Sequence, residues 1–117
     1  MFFLKSIDEK IEVWGKKGYI GKLFKVARTN EDQRIRARAY AAMGNIRDLS
    51  AVEHLLDCFK LDEAVVVKVA CAKALERIAT RKEFDKIQYL IDREYNDEVK
   101  ESLKAASIAA KDRGERW

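Results

Sequence analysis

Apolar residues recur along this chain at helical intervals, and the helices they predict recur as well. The stretch Ile35 to Ile46, IRARAYAAMGNI, sets Ile35, Ala39, Ala42, Met43 and Ile46 on one side of a helix. It returns as VKVACAKALERI from Val67 to Ile78, and more loosely as VKESLKAASIAA from Val99 to Ala110. Ile35, Val67 and Val99 stand 32 residues apart. The offset extends backwards, placing Phe3, Ile7, Ile11 and Trp14 on the columns of Ile35, Ala39, Met43 and Ile46. Second stripes lie between the first ones. Ile20, Val52 and Phe84 form one column, Leu23, Leu55 and Ile87 another, and Ala27, Phe59 and Ile91 a third.

The pattern predicts seven helices, over about 2–14, 17–28, 32–43, 50–60, 62–78, 82–94 and 98–111. Asn30 or Asp32, Asp48 or Ser50, Thr80, and Asn96 or Asp97 are placed to cap helix starts, because their side-chain oxygens can accept from free N–H groups of a first turn. A short turn, GKKG, is expected from Gly15 to Gly18, and Gly44-Asn45 is expected to stop a helix with the glycine in the left-handed conformation. The tail GERW is expected to fray. The chain then reads as one domain, 1–117, with repeats at about 1–30, 31–61 and 62–94 and a half repeat at 95–113. One helix pair cannot bury its own apolar stripe. Stacked neighbours make the stripes continuous, so the expected class is an all-α array of helix pairs.

Composition sharpens this only in part. Hydrophobic residues at 48% and charged residues at 38% exclude a disordered chain, and the absence of proline favours helices. No apolar run approaches the roughly 20 residues of a membrane span, so no membrane insertion is expected. The opening MFFLKSIDEKIEVW reaches acids early and lacks a small-residue cleavage site, so a cytoplasmic location is expected. Cys58 and Cys71 have no CxxC spacing and lie in apolar helical contexts; they read as small buried hydrophobes rather than a disulfide or ligands. Net charge is +4, and residues 1–38 alone carry ten bases against five acids. That asymmetry concerns partners more than fold.

A family resemblance rests on the middle of the chain. Asp32, Ile35-Arg36, Ala39, Ala42, Met43-Gly44 and Ile46-Arg47-Asp48 make one copy of a pattern. Asp62, Val67-Lys68, Ala70, Ala74, Leu75 and Ile78 make the next, with Glu76 in place of the turn glycine, and Val99-Lys100, Ala105 and Ala106 keep part of a third. Over about 30 to 110 the chain resembles HEAT-like repeats, in particular the short variety of the phycobilin-lyase-type HEAT family. The resemblance implies a short right-handed α-solenoid with the second helix of each pair on an inner, concave face.

On that face the non-core columns are Lys22, His54 and Lys86; Lys25, Asp57 and Tyr89; and Gly21, Glu53 and Asp85. The expected function is a non-enzymatic scaffold that binds a protein partner there, through Lys22, Lys25, His54, Asp57, Lys86 and Tyr89. An alternative is nucleic-acid binding through Lys16, Lys17, Lys22, Lys25 and Arg28, a segment with bases and no acid. A third, implied by the resemblance alone, is a chromophore-lyase-like or other enzyme accessory subunit. Arg36 recurs as Lys68 and Lys100, a basic column suited to bridging to acids of neighbouring loops. His54 is the only histidine, with Glu53 and Asp57 nearby, but no motif places a nucleophile and HExxH is absent. No catalytic, metal or cofactor site is therefore expected. Trp14 is expected to close the first pair's core. The apolar start Met1 to Leu4, and Leu103, Ala106 and Ile108 on the unpaired last helix, invite a homodimer through the end helices.

Overall fold

A computed structural model describes residues 6–115 and Trp117. Phe3 and the rest of the apolar opening lie outside the described residues. Seven α-helices follow one another: α1 (Ile7–Lys17), α2 (Ile20–Thr29), α3 (Gln33–Met43), α4 (Leu49–Leu61), α5 (Val65–Ile78), α6 (Phe84–Arg93) and α7 (Asp97–Arg113). A 3-10 turn, Arg81–Glu83, leads into α6. There is no strand among the described residues.

The caps explain where these helices start. Asp32, Asp48 and Asn96 accept from the backbone N–H groups of Arg34, Ser50 and Val99, and Ser6 accepts from that of Glu9. Each such cap stabilises a helix by about 1 kcal/mol. The Glu83 carboxylate takes both the backbone N–H (2.7 Å) and the hydroxyl (3.0 Å) of Thr80, which fixes the entry to α6 in the protein interior. The expected turn at Gly15 to Gly18 is shorter than the sequence implied. α1 continues through Gly15, and only Gly18 leaves it, at φ 72°. Its N–H returns to the Gly15 carbonyl and that of Tyr19 to the Trp14 carbonyl, the paired closure that a left-handed glycine permits.

The first helices of successive pairs, α1, α3, α5 and α7, stack in one layer, and α3, α5 and α7 pack along their lengths. The second helices α2, α4 and α6 lie against them but meet one another only over short stretches. Tyr40, Leu23, Met43, Leu55, Leu75, Ile78, Ile87 and Leu103 are fully buried along the seam between the layers, and Trp14 packs against the core at its α1 end. The result is an elongated α-solenoid measuring 51 × 30 × 16 Å.

Gly44 corrects the sequence reading. It is right-handed, at φ −63°, so a left-handed stop is not its purpose. A side chain there would bring Cβ to 3.0 Å from both Cα and Cβ of Ala74. Glycine is present because α3 and α5 touch at that point.

Two members of the basic column bridge to the loops, while Lys100 makes no ion pair among the described residues. Arg36 donates from Nε to Asp62 at 2.8 Å, and from its terminal nitrogens to Asp62 and to the carbonyls of Asn30 and Glu31. One period on, Lys68 pairs with Glu94 at 3.4 Å. Both acids also organise a turn: Asp62 accepts from Ala64 N–H, and Glu94 from Tyr95 and Asn96 N–H. This explains why α5 begins at Val65, three residues later than the apolar pattern suggests.

Three other expectations are overturned. Cys58 of α4 and Cys71 of α5 form a disulfide and are not separate thiols. The tail is docked. Trp117 donates its indole N–H to the Ile78 carbonyl, Arg113 donates to the carbonyls of Glu76 and Ala79, and Arg81 N–H meets the Gly114 carbonyl. On α7, Leu103 and Ala106 are buried, and only Ile108 of the expected apolar trio stays in solvent.

Candidate interaction surface

Because the second helices meet only briefly, the space between them opens. A groove of about 580 Å3 runs between α4 and α6. Glu53, Leu56, Asp57 and Lys60 line it from α4, and Asp85, Lys86, Tyr89 and Leu90 from α6. Leu56 and Leu90 are half-buried and form its apolar part. None of its five charged side chains makes an ion pair among the described residues. The acids that organise the fold, Asp62 and Glu94, are instead paired and nearly buried. Tyr89 is 53% exposed, with the Arg93 guanidinium 4.3 Å from its ring centroid.

Three of the six residues expected on the inner face, Asp57, Lys86 and Tyr89, therefore come together in one groove. The other three do not join them. Lys22 sits 5.5 Å from the Trp14 ring centroid and 5.3 Å from that of Tyr19, and Lys25 points to solvent on α2. His54 is turned aside. Its ring stacks on Phe24 with centroids 3.6 Å apart and planes 12° from parallel, while Arg28 lies over the same phenyl ring. Phe24 also meets Tyr40 edge-on at 6.4 Å. This aromatic contact ties α2 to α4. Lys60, Leu56 and Leu90 were missed as site residues. The leucines widen the apolar stripes of α4 and α6 beyond what one core contact needs, and that width was the available signal.

The stack leaves a pH signature. Burial against Phe24 pushes the His54 pKa below its usual 6.5, and nearby Asp57 and Glu53 only partly oppose this. The fold thus favours neutral imidazole. His54 contributes stability above pH 6.5, and that contribution is lost as pH falls from 6.5 toward the folded-state value. Urea midpoints should decrease between pH 7.5 and 5.5, roughly the range in which imidazole titrates. His54→Phe should keep the stack and lose this part of the slope.

Four of the five bases of the Lys16–Arg28 segment make contacts within the chain. Lys16 pairs with Glu12 at 3.2 Å, Lys17 and Lys22 both lie over Tyr19, and Arg28 lies over Phe24. His54 stacks on Phe24 as well, so that ring already holds a stacking partner from within the chain. Among the described residues no helix is long and apolar enough to cross a membrane.

No curated protein and no solved structure matches this chain. The family model for HEAT repeats matches residues 14–108, from the last turns of α1 to within α7. That span takes in α2 to α6, most of α7 and the groove between α4 and α6, and by it the chain belongs to the HEAT repeat family.

Proposed function

We propose that this chain is a non-enzymatic interaction module that holds a protein partner along the face formed by α2, α4 and α6. HEAT repeats generally serve as scaffolds for protein–protein contact. The observation that carries the reading for this chain is the α4–α6 groove. Five charges without an intramolecular ion pair surround two half-buried leucines and an exposed tyrosine. Unpaired charges around an apolar floor lose little internal bonding when a partner covers them, and tyrosine is among the residues that anchor interfaces most often. A preformed groove on rigid helices also limits the ordering cost of association.

Quantitative capture from native lysate tests this. Wild-type chain should retain at least one protein that Asp57→Lys/Tyr89→Ala loses by about tenfold or more, the equivalent of about 1.4 kcal/mol. Both positions are exposed, so the variant should melt as wild type does. Equal recovery of every protein would move the partner off this face.

A further inference from the structure

The opposite side of the solenoid carries a second groove of different character. It lies between α3 and α5, in the layer of first helices, and measures about 400 Å3. Ala37 and Ala41 of α3, with Val66, Val69, Ala70 and Ala74 of α5, supply its apolar lining. Arg38, Lys73 and Arg77 supply all of its charge, and no acid lines it. The α4–α6 groove mixes both signs; this one has a single sign. Arg38 reaches out to Asp8 at 2.6 Å, whereas Lys73 and Arg77 have no ion pair among the described residues. Val66 is 43% exposed, and its neighbour Val65 adds further apolar surface at that end.

From this lining we infer that the α3–α5 groove is a second docking surface, and that its occupant is an amphipathic helix with one apolar edge flanked by glutamates or aspartates. Alanines at four lining positions have no branches to hold a docked helix away, so its apolar side chains can reach the floor between α3 and α5. The bases at the rim would then face the flanking acids. A nucleic-acid backbone gains nothing from an alanine floor. A membrane surface is flat and fits a recessed floor poorly. The inference does not depend on the α4–α6 groove, which lies on the other layer.

The probe is a fluorescein-labelled designed helix of about 18 residues, or five turns, with leucines along one edge and glutamates beside them. Its counterpart carries lysines in place of the glutamates. Fluorescence anisotropy at about 0.15 M salt, where exposed charges are screened beyond about 8 Å, should show the acidic peptide binding and the lysine peptide failing to bind. Lys73→Glu/Arg77→Glu should weaken the acidic peptide by about tenfold or more. These side chains are exposed, so circular dichroism and melting should match wild type. Arg47→Glu/Lys104→Glu changes net charge equally, away from the groove, and should leave affinity within about twofold, as expected of distant exposed charges screened by salt. The inference is overturned if neither peptide binds, if both bind alike, or if the two charge-reversed variants behave the same. It is also overturned if the chain sediments with phosphatidylserine vesicles and ignores the acidic peptide, which would assign the face to a membrane.

Discussion

Replacing Arg36 with alanine should lower the stability of the fold by about 3 kcal/mol, because it strands a carboxylate that the fold has taken out of water. The Asp62 side chain is only 9% exposed, and Arg36 is its ionic partner through two nitrogens, at 2.8 and 3.3 Å. The same guanidinium holds the Asn30 and Glu31 carbonyls at 3.0 and 3.1 Å, so its removal also loosens the loop between α2 and α3. An exposed pair would be worth less than about 1 kcal/mol, and that contrast makes the experiment decisive. Urea denaturation should show a lower midpoint with an unchanged slope, and the melting temperature should fall by about 10 °C. Arg36→Lys should be milder but not neutral, since an ammonium keeps the charge and loses the planar fork. The chain contains its own version of that exchange in Lys68, which reaches Glu94 at 3.4 Å through a single contact. A loss under about 1 kcal/mol for Arg36→Ala would mean that Asp62 remains solvated and the clamp is ornamental.

The second large effect belongs to the disulfide. Cys58→Ala/Cys71→Ala should cost about 3 kcal/mol, which is the loop-closure value for a bridge across roughly 15 residues. The two cysteines are 13 apart in sequence, and both are fully buried. Most of the loss would arise in the unfolded chain, which regains the freedom of the α4–α5 connection. Alanine is the better test residue, because serine would add a buried hydroxyl to the count. Alkylation after denaturation, without reductant, should add no label to either sulfur. Two labels per chain would remove the bond and the predicted loss together. In the folded protein a reducing agent has no direct path to either sulfur, so reduction should proceed at the rate at which the α4–α5 contact opens.

Much of this fold could be read from the chain. The 32-residue period gave the pairing of helices, and the side chains of Asp32, Asp48 and Asn96 do cap where they were expected to. The duty assigned to Arg36 and Lys68 also follows from their recurrence beside acids of the next loop. The period says which positions turn inward. It does not say which inward position of one helix meets which of its neighbour, because that depends on the rotation between repeats. Cys58 and Cys71 were both recognised as buried, yet nothing in their spacing showed that they touch. Gly44 was assigned a conformational role for the same reason, since its contact with Ala74 exists only once α3 lies on α5. At the site, Asp57, Lys86 and Tyr89 followed from the column rule, but His54, in register with Lys86, was lost to Phe24. A stacking partner from another repeat is invisible to a rule that compares equivalent positions.

The docked tail gives the molecule a spectroscopic use. Its two indoles are Trp14, on the first helix beside Lys22, and Trp117, folded back beneath the end of α5. Emission from the intact chain is thus the sum of two vantage points, one on α1 and one at the end of α5. Single-tryptophan versions would separate them, and would reveal whether the repeats come apart together or peel from one extremity.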